Sequence, residues 1–144
     1  FNTEYNSSFL SFSSLNSLGI AVVAEDHMGH GKSVTQKGIV GYFHGGWFTA
    51  VEDSMQLLED TQKEFPEIPY ILFGHSMGSF LARTFMIKYG NLVDGCIICG
   101  TGHPPKALTM GARALAALEI RRHGAGYYSA LLDSTMNKQY NGGY

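Results

Sequence analysis

The chain has 144 residues, 44% of them hydrophobic and 15% charged, and a formal net charge of −2. That length suffices for one ordinary core, and the composition excludes both a disordered segment and the basic footprint of a nucleic-acid or anionic-membrane binder. No apolar run reaches the roughly 18–20 residues of a membrane span, and two cysteines make no disulfide framework. The first residues are polar and do not read as a secretory leader, so a reducing cytoplasm is the expected compartment. A start at Phe1 instead of Met suits a fragment or a processed product.

Residues 1–14, rich in Ser, Asn and Phe, show no clear period, and a short helix is predicted from about Phe9 to Leu18, stopped by Gly19. Ile20-Ala21-Val22-Val23-Ala24 is a continuous, partly β-branched apolar run that predicts a buried parallel strand. The polar turn Glu25–Ser33 follows, and glycines 38, 41, 45 and 46 make residues 34–46 a loop. From Trp47 to Phe65 the apolar Phe48, Val51, Met55, Leu58 and Phe65 recur at spacings of three, four or seven, which predicts an amphipathic helix closed by Pro66.

Tyr70–Phe73 predicts a second buried strand, Met77–Tyr89 a helix stopped by Gly90-Asn91, and Gly95–Cys99 a third buried strand. Strands alternating with helices imply βαβ units and a parallel sheet, hence an α/β fold. After residues 100–105 the character changes: residues 106–123, rich in Ala and Leu, predict one helix, and Tyr127 to Asn137 predict another.

The segment that carries chemistry is Gly74-His75-Ser76-Met77-Gly78. A serine hydroxyl is a poor nucleophile until it is exposed, deprotonated and supplied with donors for the oxyanion it creates. A strand that turns sharply into a helix provides the exposure, and glycines two before and two after leave room for neighbouring backbone. Three fixed positions in five are weak by themselves. The strand before Gly74 and the helix after Ser76 are the context the motif requires. Ser76 is therefore the candidate nucleophile, and the Met77 N–H, at a helix start, a candidate oxyanion donor.

Together with Asp26-His27-Met28-Gly29-His30-Gly31-Lys32-Ser33, this elbow resembles the monoacylglycerol lipase and lysophospholipase branch of the α/β-hydrolases. The likeness covers most of residues 19–105 and none of the first 14. It implies an α/β-hydrolase fold with a partial core over residues 1–105 and the beginning of a helical cap over 106–144. It also implies that Asp26, His27, Gly29, His30 and Gly31 form a turn near the active site, at the end of the fourth strand, and that the elbow follows the fifth. The implied substrate is a small-molecule acyl ester of the acylglycerol or lysophospholipid type, hydrolysed without cofactor or metal. Transient contact of the cap with a lipid surface fits that reading.

Two parts of the machinery have no place in the chain. In this fold an Asp or Glu and then a His follow the serine on late loops. His103 sits at the end of the third predicted strand and His123 in the cap, while Asp94 precedes a strand and Asp133 lies in the cap. The triad acid and histidine are accordingly expected beyond Tyr144, and the second oxyanion donor before Phe1. The family's third strand, which lies between its fourth and fifth, is missing too. Residues 1–144 alone are expected to be about half a domain and inactive.

Several motifs carry a simpler reading. Gly29–Ser33 resembles the end of a phosphate loop, but Asp26 stands where that loop needs glycine. His44-Gly45-Gly46 resembles a lipase oxyanion turn but follows the fourth strand instead of preceding it, so a loop is expected. Cys96 and Cys99, three apart on a strand, point to opposite faces and read as core instead of as one metal site. His27 and His30 have no third ligand close in sequence and read as hydrogen-bonding groups of their turn. A peptidase or another esterase on the same fold, or a non-catalytic binding protein, remains as the alternative to a lipase.

Overall fold

A computed structural model of the chain describes residues 12–34 and 40–141. Helix α1 spans Phe12–Ser17 and ends at Gly19, whose φ of 78° suits a residue without a Cβ. The predicted residues 9–11 lie outside the described residues. A single 3-10 turn, Gly31–Ser33, precedes α2, Trp47–Glu64. Strand β1, Ile71–His75, runs into α3, Met77–Tyr89. Strand β2 is Gly95–Cys99, followed by α4, Lys106–His123, and α5, Ala130–Asn141.

β1 and β2 pair in parallel, with Ile71 opposite Gly95 and His75 opposite Cys99. α3 is the crossover between them and packs on one face of the sheet, the arrangement a βαβ unit produces. The pair is closed below by reciprocal bonds: Tyr70 N–H donates to Asp94 Oδ2 at 2.8 Å and Asp94 N–H to the Tyr70 carbonyl at 2.8 Å. α2 lies against α3. Its buried stripe runs through Trp47, Ala50, Val51, Met55 and Leu58, and meets Leu81 and Phe85 of α3 with Leu72 of β1 beneath. The Trp47 indole N–H donates to Thr84 Oγ1 at 3.1 Å. Across the same seam Lys88 and Tyr89 donate to the two oxygens of the Glu52 carboxylate, which they hold below its ordinary pKa.

The structure corrects three expectations about the strands and α2. Residues 20–24 form no strand: among the described residues no ladder partner reaches them, and Val23 is 52% exposed. An apolar run has strand character, but its N–H and C=O groups need a neighbouring chain before a strand exists. Nor are β1 and β2 buried on both faces. Ile71, Phe73 and Ile97 point away from α3 and are more than half exposed, because no described layer covers that side. Phe48, 63% exposed, falls off the buried stripe of α2, which is phased from Trp47.

α4 buries none of its residues. It is tied to α5 by Ser129, whose hydroxyl donates to Glu119 Oε2 at 2.8 Å and accepts the Leu132 N–H at 3.3 Å. That serine caps α5. The His123 and Tyr127 rings stack 4.2 Å apart across the same bend. Among the described residues no helix is long and apolar enough to cross a membrane.

Candidate active site

β1 delivers the chain into α3 through one residue, Ser76, with φ 51° and ψ −117°. A non-glycine residue there is strained, at a cost of order 1–3 kcal/mol, and persists only where the surroundings fix it. Three bonds do so. Ser76 N–H donates to the Cys99 carbonyl at 3.0 Å, continuing the sheet ladder one residue past β1. The Ser76 carbonyl accepts the Ser79 N–H at 3.0 Å and the Ser79 hydroxyl at 2.5 Å. Ser79 itself is fully buried.

Gly74 is the glycine this geometry demands. A Cβ there would lie 2.4 Å from the Gly78 carbonyl oxygen and 2.7 Å from Ala82 Cβ. Gly78 differs: nothing among the described residues lies within 4 Å of the place its Cβ would take. The expected collision at the second elbow glycine is therefore absent, since the helix turns that position toward open space.

Ser76 and His75 are exposed. Met77 opens α3, so its N–H belongs to the four that a helix leaves without an intrahelical acceptor. Gly100, at φ 61°, brings the chain after β2 close beside the elbow, where its Cβ would stand 3.3 Å from the His75 ring and 3.5 Å from Ser76 N. Arg83 holds that loop by donating to the Gly102 carbonyl at 3.1 Å, a contact sequence reasoning did not anticipate. Its only forewarning is the placement of Arg83 seven residues after Ser76, on the helix that follows the elbow.

The Asp26–Ser33 segment folds around the carboxylate of Asp26. That group accepts the Lys32 N–H at 2.8 Å, while the Asp26 carbonyl accepts the Ser33 hydroxyl at 2.8 Å. A Cβ at Gly31, φ 48°, would fall 2.4 Å from this carboxylate. The Asp26 carboxylate thus occupies the inside of the turn. Gly29, φ 75° and buried, lets Tyr42 backbone cross at a distance no side chain would permit.

The His30 ring sits 5.5 Å from Phe43, with Nδ1 3.1 Å from the Met28 carbonyl. His27 Nδ1 is buried, hydrogen-bonded to nothing among the described residues, and 3.8 Å from Glu25 Oε1. Burial and then His30 push the His27 pKa down, against Asp53 and Asp26, while burial and Asp53 push Glu25 up. No hydrogen bond or ion pair among the described residues joins this turn to Ser76, and none of these residues forms a metal-ligating group of three. Of the cysteines, Cys96 is half-buried and Cys99, opposite His75, is exposed instead of core.

Comparison with known proteins decides the family. The model of the serine aminopeptidase, S33, family matches residues 2–138. The chain belongs to the serine aminopeptidase S33 family. The match also includes residues before position 15, which had suggested no resemblance. Monoglyceride lipase of Mus musculus is 37% identical over 109 residues, 74% of this chain and 35% of that protein. The Rattus norvegicus monoglyceride lipase is 38% identical over the same shares.

A carboxyl esterase of Bacillus coagulans, solved with glycerol, superposes with a TM-score of 0.71 at 32% identity, over 88% of this chain and 40% of that one. The fold of this S33 family member is accordingly the α/β-hydrolase fold. The chain spans about a third of the length of the rodent relatives it matches. Its relatives are ester and lipid hydrolases by name.

Proposed function

We propose that Ser76 is the nucleophile of a carboxylic-ester hydrolase whose substrates are acylglycerols or lysophospholipids. The observation that carries this reading is the strained, exposed Ser76 at the β1–α3 junction, φ 51°, tied to β2 through Cys99. Strain at a solvent-facing nucleophilic side chain is retained where it serves chemistry.

In the intact protein the Ser76 hydroxyl oxygen attacks the ester carbonyl carbon and gives its proton to a histidine. The oxyanion is held by the Met77 N–H and a second donor. The carbonyl–alkoxy bond then breaks, the alcohol leaves with the histidine's proton, and water hydrolyses the acyl-enzyme. Among the described residues no imidazole is hydrogen-bonded to Ser76. The base and its acid are assigned to residues outside 1–144, as is the second oxyanion donor. The Asp26–Gly31 turn is assigned to the floor beside the elbow, and α4 and α5 to the cap that covers the acyl chain. Contact of that cap with a lipid surface, and a cytoplasmic setting, belong to the same proposal.

The lipase reading is supported by the monoglyceride lipases and the carboxyl esterase among the relatives. The family's description as a serine aminopeptidase favours a second reading, peptide hydrolysis from an amino terminus by the same serine. Turnover of a monoacylglycerol and of an aminoacyl nitroanilide by the intact protein separates the two. The ester should be the better substrate, and Ser76→Ala should lower its turnover by ~10⁶-fold, the scale seen when a triad serine is lost. Preference for the anilide would transfer the site to the peptidase reading.

A further inference from the structure

The segment that leaves β2 begins against the elbow. Ser76 N–H donates to the Cys99 carbonyl at 3.0 Å, and the next residue, Gly100, turns at φ 61° beside the His75 ring and the Ser76 amide. In Gly100-Thr101-Gly102 the two glycines lack a Cβ, so local sterics leave this stretch many conformations. Its far end supplies no anchor on the core: α4, which starts at Lys106, buries none of its residues and does not pack on α3.

Among the described residues, the hydrogen bonds that reach residues 101–104 both come from one side chain. Arg83 Nη1 donates to the Gly102 carbonyl at 3.1 Å and to Thr101 Oγ1 at 3.4 Å. The guanidinium also lies 5.9 Å from the centre of the Phe80 ring, within cation–π range. Phe80 Cζ in turn stands 3.7 Å from the place a Gly102 Cβ would take. No carboxylate pairs with Arg83 among the described residues, so its permanent charge is directed at the loop. Arg83 is exposed, and the removal of an exposed side chain changes global stability little. What the contact fixes is a position: loop and nucleophile are both referred to α3, which starts one residue after Ser76.

We propose that Arg83 is a positioning residue for the reaction of Ser76, clamping the 100–104 loop to α3 and so fixing the wall of the site beside the attacking hydroxyl. The proposal rests on the ester-hydrolase reading of that serine. An ester carbonyl has to lie within reach of both Ser76 Oγ and the Met77 N–H, and Gly100 bounds that space on the β2 side. A misplacement of about 1 Å at a reacting centre costs on the order of 10²-fold in rate. Loss of the clamp therefore acts on the acylation step more than on the binding of the ester.

Single-turnover hydrolysis of a short-chain nitrophenyl ester, with the intact protein in excess, separates the two quantities. The unsubstituted protein, Arg83→Ala and Arg83→Lys would be compared, each with a fluorophosphonate titration of Ser76 and a thermal melt. Arg83→Ala should lower the acylation rate roughly tenfold or more, with half-saturation within about twofold and an unchanged melt. Arg83→Lys, which keeps a cationic donor for the Gly102 carbonyl, should recover part of the loss.

An unchanged acylation rate in Arg83→Ala would overturn the proposal. So would a raised half-saturation at an unchanged rate, which would make Arg83 a binding group. A loss that follows a lowered melt and is not recovered by Arg83→Lys would leave Arg83 a structural residue only. An unsubstituted protein that neither labels at Ser76 nor turns over the ester would remove the ester reading, and this proposal with it.

Discussion

Residues 20–24 and 70–73 start from the same chemistry, four or five consecutive apolar residues entered and left through polar turns. Ile71–His75 becomes a strand because Gly95–Cys99 runs beside it in register and α3 covers one of its faces. The other run finds neither a ladder nor a cover among the described residues, and its valines stay open to solvent. Local composition therefore supplies strand character, and pairing turns that character into a strand. The site follows the same division. Ser76 is positioned because β1 is held by β2 on one edge and by α3 on one face, so the strained residue between strand and helix cannot relax.

The sharpest way to break this contrast is hydrogen exchange. Amides of β1 bonded to β2 should be protected on the order of 10³-fold or more, and those of residues 21–24 should exchange freely, since local stability follows pairing and packing. Equal protection would mean that the second run has a partner in solution. Next in size, Phe85→Ala should cost about 3–5 kcal/mol by denaturant melt, because Phe85 is 2% exposed at the centre of the α2–α3 core. Val23→Ala should stay within about 0.5 kcal/mol, as exposed substitutions do.

The two elbow glycines sharpen the comparison further. Gly74→Ala should cost roughly 1–3 kcal/mol, as overpacking does, because its Cβ would strike the Gly78 carbonyl. Gly78→Ala should be neutral or stabilise by up to about 1 kcal/mol, since the position is open and alanine favours the helix. A large loss at Gly78 would show that a neighbouring segment packs there in solution.

The βαβ half of the molecule was legible in the sequence because each signal agreed with the next. Pro69 opens the strand, the glycine–serine elbow ends it, the apolar period of Met77–Tyr89 follows, and Gly90 stops the helix; α3 and β2 fall on the residues so indicated. The Ile20–Ala24 strand misled because a continuous apolar run says nothing about who pairs with it. Phe48 misled because two phases, one from Trp47 and one from Phe48, both fit the spacing, and only the packing of Trp47 on Thr84 selects between them. Ser76 was legible as a motif. The Arg83 brace on the loop after β2 was not, since nothing local marks a contact made across a crossover.

The smallest expected effect concerns the Asp26–Ser33 turn. His27 is held below its ordinary pKa of 6.5, first by burial, so the unfolded chain binds that proton more readily than the fold. Its contribution is present above 6.5 and is lost as pH falls through the lowered value. Glu25, raised above 4.5, runs the other way: its contribution is present below that value and lost as pH rises through the raised one. Between about pH 7 and pH 5 the two run in opposite directions, so the His27 part is read as a difference: relative to His27→Gln, the unsubstituted protein should lose stability toward acid. An unchanged slope in His27→Gln would place the titration elsewhere.

The central claim is that the strain at the β1–α3 junction serves to present Ser76 as a nucleophile. Its most direct measurement is the reaction of the intact protein with a fluorophosphonate, followed by mass-spectrometric mapping of the adduct. The phosphonyl group should be found on Ser76 alone and should disappear in Ser76→Ala. A label on another serine, or labelling unchanged by Ser76→Ala, would contradict the account.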